Sequence, residues 1–494
     1  LEQSTDSLFQ LIRALSKAEK RYFRVFSGLE GAGSKSYLVL FDIMSGMKNY
    51  DKEMLKKKIK ERNLSTDLSK TRQYLFDALI KSLIFFYSEN DSEFKTRLQL
   101  MQLLVLNKKE LFSLAQKKLK IFERNCARQN RTLLLAETYA LMKTNAFNLF
   151  LNNYDNDNLH ELMKKEESNL QLLMNESKFR SLMMQALTLI KEENRMQHDV
   201  VTEEYKKLES NPLLQEAGKA KTLRSKLIYL SLMSIIKFKL KKNEEALSNA
   251  SEYLRLLEKN KHLLKRNTFY YIVGLRNKLI ALMELERHRE VKAVLSKLKN
   301  VSCQNVNQEA IKFRTYYTFS LLTLMNSGDY ESASKLIPDI EKELTSYGGL
   351  IDRYSALQML LLMAEVHFGT KDFDKAVTLT NHILNEPQIN DYINLNIVSK
   401  TTLLMAHYEL GNFRLLPSLA RSTLRQLNSN GFENTFESAF VKAFMEKQIS
   451  EATFNQLLSE VETLIRSGKQ PLLFDFRKIK RFLKENAVAE VMVD

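Results

Sequence analysis

Lys241-Lys242-Asn243-Glu244-Glu245-Ala246, Glu286-Arg287-His288-Arg289-Glu290-Val291, Gly328-Asp329-Tyr330-Glu331-Ser332-Ala333, Lys371-Asp372-Phe373-Asp374-Lys375-Ala376 and Gly411-Asn412-Phe413-Arg414-Leu415-Leu416 align as five versions of one helix-turn-helix junction. Their closing residues, 246, 291, 333, 376 and 416, are 45, 42, 43 and 40 positions apart. A repeat in this range is the signature of an α-solenoid, in which each helix pair buries its apolar face only against its neighbours. The spacing predicts an all-α chain: a right-handed α-solenoid of antiparallel helix pairs with a period of about 42, behind a helical N-terminal head.

Composition supports helices. Gly and Pro number 13 and 5 among 494 residues, about 4% where roughly 12% is usual. Sheets and disordered linkers both need more turn-forming residues than this. Hydrophobic residues make up 44%, enough for a continuous core. The two cysteines, Cys126 and Cys303, are far apart in sequence and form no disulfide framework, so a reducing, cytoplasmic setting is expected. The longest apolar runs, such as 83–87 and 360–364, fall well short of the ~18 residues of a membrane span. No membrane partner and no signal peptide is expected.

Along the chain, residues 1–92 read as a helical head. In it, Ser16-Lys17-Ala18-Glu19 has the form of a capping box. Residues 93–212 read as an irregular helical-repeat region, with separate helices over 159–174 and 177–193 and an irregular stretch from Asn194 to Pro212. The regular beat occupies 213–430, and 431–494 read as C-terminal capping helices.

The stretch from 215 to 425 resembles the tetratricopeptide repeat. Gly328, Tyr330 and Ala333 match its Gly-x-aromatic turn with the following Ala; so do Phe373, Ala376 and Pro387, with Ala364 as the small residue of the first helix, and Gly411 and Phe413. Leu416, His288 and Asn243 depart from the pattern, and a period near 42 exceeds that family's 34. The resemblance implies a fold and a groove for a peptide or protein surface. The head, with Leu15-Ser16-Lys17-Ala18-Glu19-Lys20-Arg21-Tyr22-Phe23 and Arg72-x-Tyr74-Leu75-x-x-x-Leu79, resembles an uncharacterised family of Bacteroidota helical-repeat proteins, which implies no activity.

Catalytic signals are weak. Gly28 and Gly33 have phosphate-loop spacing, but Ser34 stands where that loop needs Lys, and a helix rather than a strand precedes it. His367 and His407 hold equivalent places nine residues before Ala376 and Leu416; they read as packing residues, or as a metal pair if a carboxylate joins them. No cofactor is expected, and the chain reads as a scaffold rather than an enzyme.

Charge is the stronger lead. The net +16 is uneven: blocks 1–100, 101–150, 151–200, 201–300 and 301–494 carry +5, +6, −3, +11 and −3. Lys117, Lys120, Arg124 and Arg128 fall at i, i+3, i+7 and i+11, one helical stripe, opposite Leu111, Leu114, Leu119 and Phe122. A second zone holds Lys237 and Lys239 at a helix end and Lys265 and Arg266 at a turn, near Phe269, Tyr270 and Tyr271. Such zones suit an acidic protein or peptide, or alternatively a nucleic-acid backbone with aromatics stacking bases. Lys20, Arg21, Arg24, Lys56, Lys57, Lys58 and Arg72 would serve a DNA-reading head in that second case. Cations at helix C-termini also need no partner, because they complement the helix dipole.

Overall fold

The structure, a computed structural model, describes residues 6–29, 36–47, 50–62, 67–151, 159–192, 198–260, 264, 268–446, 449–466 and 476–487. The described residues are helical throughout, with short turns and no strand.

The head comprises α1 (Ser7–Ala14), α2 (Lys17–Leu29), α3 (Ser36–Ser45), α4 (Lys52–Glu61) and α5 (Leu68–Asn90). Its capping box forms as the sequence predicts. The Ser16 amide donates to Glu19 at 2.6 Å, and the Glu19 amide donates to the Ser16 hydroxyl at 3.2 Å. Phe9, Ile12, Phe23, Leu40, Phe41 and Leu75 close the head's core. Arg72 of α5 ties back to Asp6, the N-cap of α1, at 2.5 Å. Only Asp91 separates α5 from α6 (Ser92–Lys108), and its carboxylate caps α6 through the amides of Glu93 and Phe94.

Then come α7 (Phe112–Arg128), α8 (Thr132–Leu151), α9 (Leu159–Glu192) and α10 (His198–Glu209). The structure departs from the sequence reading twice here. The two helices expected over 159–193 are one continuous α9 of 34 residues. Asn175-Glu176 looked like a polar break, but both side chains are used in packing. Asn175 bonds the backbone at Lys219 and Lys221. Glu176, fully buried, accepts from the hydroxyls of Thr132 and Thr222. The stretch 194–212, expected to be irregular, contains α10, anchored by the buried Tyr205.

The regular region holds α11 (Leu223–Lys239), α12 (Asn243–Lys259), α13 (Thr268–Glu284), α14 (His288–Lys299), α15 (Val306–Asn326), α16 (Tyr330–Ser334), α17 (Ile337–Tyr347), α18 (Arg353–Gly369), α19 (Phe373–Leu384), α20 (Ile393–Glu409) and α21 (Leu416–Ser429). Pro338, at the start of α17, divides what would otherwise be one second helix into α16 and α17. Most of these helices pack on their chain neighbours, while α17 packs on α15 rather than on α16 or α18, and α11, α13, α15, α18 and α20 also pack in that order on one another. The last elements are α22 (Phe436–Ala443), α23 (Glu451–Arg466) and α24 (Phe476–Ala487).

All five aligned segments adopt the same backbone turn. Lys241, Glu286, Gly328, Lys371 and Gly411 have φ of 61°, 56°, 76°, 64° and 71°. In each, the next residue's amide returns to a carbonyl five residues back, as in Lys242 to Lys237 at 2.8 Å, Asp372 to His367 at 2.9 Å and Asn412 to His407 at 2.9 Å. This is the Schellman closure, which satisfies the carbonyls orphaned at a helix end. The same turn recurs outside the repeat, at Glu110 (φ 58°), Asn130 (φ 52°) and Gly431 (φ 82°).

A non-glycine residue in this region carries a steric cost of about 1–2 kcal/mol, which glycine avoids at the expense of its own larger entropy loss. Glu110 is exposed and takes part in no ion pair among the described residues. Glu110→Gly is therefore expected to raise stability by about 0.5–1 kcal/mol. Gly328→Ala should lower it by about 1 kcal/mol. Urea unfolding of both variants checks the pair, and equal or reversed midpoint shifts would contradict the strain argument.

Candidate interaction surfaces

The α7 stripe forms as a physical face. Ala115, Leu119, Phe122 and Cys126 are buried, and Lys117, Lys120, Arg124 and Arg128 project from the opposite side. All four cations are exposed, and none makes an ion pair among the described residues. The apolar side differs in part from expectation. Leu119 and Phe122 are core, but Leu111 and Leu114 are exposed, as is Ile121 at 60%. At 100° per residue, Leu114 and Ile121 flank the cations rather than oppose them. Lys108 and Lys109 are exposed at the end of α6. Arg131, from the same basic run, is buried and donates to the Ser92 carbonyl at 3.2 Å, with Glu93 at 3.6 Å, so it joins α6 to α8 and is absent from the outer face.

The second zone is arranged otherwise. Lys237 is 14% exposed at its side chain; its ammonium lies 2.8 Å from Glu209 and also pairs with Glu245. Burial disfavours the charge, but hydrogen bonds to the two carboxylates outweigh it and hold the Lys237 pKa above its usual value. Glu209, shared with Lys242 at 3.0 Å, is correspondingly held low against its own burial. Lys239 lies 5.8 Å from the Phe238 ring. Lys265 and Arg266 lie outside the described residues. Phe269 and Tyr270 are exposed, and Tyr271 donates to Glu258 at 2.8 Å. The two zones lie on helices that do not pack on each other: α7 packs on α6 and α8, whereas α11 packs on α9, α10, α12 and α13.

Apolar exposure adds residues that the sequence reading did not select. Met101, Leu104 and Val105 of α6 are exposed, as are Met163, Leu170 and Met174 on one stripe of α9. The signal was present in the sequence. Both helices carry apolar residues all round rather than on one stripe, which in a fully packed helix would mean burial on every side.

Catalytic candidates gain no support from geometry. Residues 30–35 of the phosphate-loop-like string lie outside the described residues. Among the described residues, no group of three or more His, Cys, Asp or Glu is placed to hold a metal ion. No described helix is long and apolar enough to cross a membrane.

His367 and His407 each face their own turn. The His367 ring lies 3.5 Å from Asp372, and the His407 ring lies 3.1 Å from the Asn412 amide. Burial lowers both pKa values, at His367 overriding the Asp372 carboxylate. With folded pKa values below the unfolded value of about 6.5, the unfolded chain binds more protons once pH falls below that point. Their contribution to stability is thus intact above about pH 6.5 and is lost as pH falls through the lowered folded values. The drop in thermal midpoint from pH 7.5 to 5.5 should be smaller in His367→Gln/His407→Gln than in the native chain. An unchanged drop would mean that other groups carry it.

No protein-family model matches the chain, and no curated protein matches it.

Proposed function

We propose that the chain is a non-catalytic, cytoplasmic scaffold. In this reading the helix pairs stack as a tetratricopeptide-like α-solenoid, and the chain binds an acidic segment of a protein partner. The recurrence of one turn at five repeat positions and the packing of each first helix on the next support the solenoid. The observation that carries the binding proposal is the α7 face: four exposed cations with no ion pair among the described residues, flanked by exposed Leu114 and Ile121. Cations steer an acidic partner to the surface, and apolar side chains supply area that only a protein or peptide can bury.

Nucleic acid is the second reading, and one feature favours it. The stripe from Lys117 to Arg128 runs straight along one helix for about 16 Å, long enough to follow several phosphates of a backbone. Apolar neighbours would add nothing there.

Two probes separate the readings: an acidic amphipathic peptide of Glu and Leu, and a 20-nucleotide oligo-dT, each measured by fluorescence anisotropy against the full chain. The scaffold reading expects the peptide to bind, and Lys117→Glu/Lys120→Glu/Arg124→Glu/Arg128→Glu to weaken it tenfold or more. Binding of the oligonucleotide alone, falling steeply with salt, would replace it with the nucleic-acid reading.

A further inference from the structure

Helix α24 reads Phe476-Arg477-Lys478-Ile479-Lys480-Arg481-Phe482-Leu483-Lys484-Glu485-Asn486-Ala487, with five cations against one carboxylate. Its apolar and basic residues are sharply segregated. Ile479, Phe482 and Leu483 are buried, and Phe482 lies among the rings of Phe368, Tyr408, Phe440, Phe444 and Phe454 at centroid distances of 5.9–6.3 Å. The remaining contacts reach far back along the chain. Arg477 pairs with Glu286 of the turn after α13. Lys478 pairs with Glu365 of α18 at 2.7 Å, both side chains mostly buried, and bonds Thr402 of α20 at 2.8 Å. Arg481 lies over the Tyr330 ring at 4.5 Å and donates to the Gly369 carbonyl at 3.5 Å. Asn486 donates to Glu409 at 2.8 Å.

These partners share one location. Glu286 follows the C-terminal end of α13, Glu365 and Gly369 lie in the last turn and a half of α18, and Glu409 closes α20. The C-terminal ends of α13, α18 and α20 therefore supply carboxylates together with the negative ends of their dipoles, Tyr330 beyond α15 supplies a ring, and α24 supplies the matching cations. Glu462 of α23 takes Lys480 at 2.8 Å on the other side. The site is a row of helix C-termini around an aromatic socket, and the chain fills it with a helix of opposite charge.

We infer that this face is a receptor for basic amphipathic helices, that α24 is its resident occupant, and that a partner presenting a helix of the same pattern binds here by displacing α24. The pattern is set by the contacts: a cation for Glu365, an apolar residue at the next position, then a cation for Tyr330 and Gly369, an aromatic for the socket, a further apolar residue, and an amide donor for Glu409. Displacement would begin at the open contacts, because the Arg477–Glu286 pair and the Arg481 side chain stay about half exposed, whereas the Lys478–Glu365 pair and the ridge of Ile479, Phe482 and Leu483 form the buried anchor that an incoming helix must replace. This site is separate from the α7 face and does not depend on it.

The test uses the full chain and a labelled synthetic peptide of residues 476–487. The tethered helix competes at an effective concentration in the millimolar range, so the native chain should bind the peptide weakly but saturably. Lys478→Glu/Arg481→Glu/Phe482→Ala, which unseats α24, should bind it at least tenfold more tightly. Adding Glu365→Arg should abolish that gain, and a peptide with Glu in place of Lys478 should recover part of it. The fourfold α7 reversal should leave all of this unchanged. The inference is overturned if a cooperatively melting α24 variant binds no peptide, if native and variant chains bind equally, if residue 365 has no effect, or if the native chain shows no saturable binding. Should the triple variant fail to melt cooperatively, Lys478→Glu alone carries the same comparison with a smaller expected gain.

Discussion

The constraint on which the rest depends is the left-handed residue that closes the first helix of each aligned pair. At 241, 286, 328, 371 and 411 the chain reverses in one residue and returns an amide to the helix it has left. That closure satisfies the last carbonyls without a long loop, so the second helix begins two residues later at four of the turns and five residues later, at Leu416, after Gly411. The apolar residues then have little choice of partner. Ala246, Val291, Ala333, Ala376 and Leu416 all sit just beyond the turn, and all are buried. Three of the five closures use Lys or Glu where glycine would be less strained. The conformation is thus imposed by packing on both sides of the turn rather than by local preference alone.

Local chemistry was legible in the sequence where it is self-contained. The capping box at Ser16 and Glu19, the scarcity of glycine and proline, and the five turns all concern residues within one helical turn of each other. Failures occurred where a polar residue has a distant partner. Asn175-Glu176 reads as a break until Thr132 and Thr222 are placed beside it, 44 and 46 positions away. Lys237 reads as a surface cation until Glu209 and Glu245 enclose it. Arg131 continues the basic run of α7 in sequence but turns inward to Ser92. Periodicity identifies which face a residue occupies; it does not say whether that face meets solvent or another helix.

The same limit explains the apolar exposure of α6 and α9. A helix with apolar residues all round invites the conclusion that it is buried all round, yet Met101, Val105, Met163 and Met174 face outward. Methionine is the most adaptable of the apolar side chains, and it shares these outward positions with Leu104, Val105 and Leu170. The exposed apolar residues of α6, a helix that packs on α7, together with the α7 cations that make no ion pair among the described residues, have the mixed character of a recognition face, apolar area for affinity and charge for approach.

The net positive charge is therefore deployed in two opposite ways. On α7 the cations point away from the fold and meet no carboxylate among the described residues; on α24 each reaches a carboxylate, ring or carbonyl of an earlier helix or turn. Steric fit sharpens the second arrangement. The Tyr330 ring that receives Arg481 lies so close to Gly369 that a methyl group there would overlap it. A side chain at 369 would displace the ring and, with it, the platform for the guanidinium. One absent Cβ on α18 thereby links the repeat's aromatic turn residue to the terminal helix. Tyr330, whose place in the sequence resembles the aromatic of a tetratricopeptide turn, also forms part of the surface on which α24 rests.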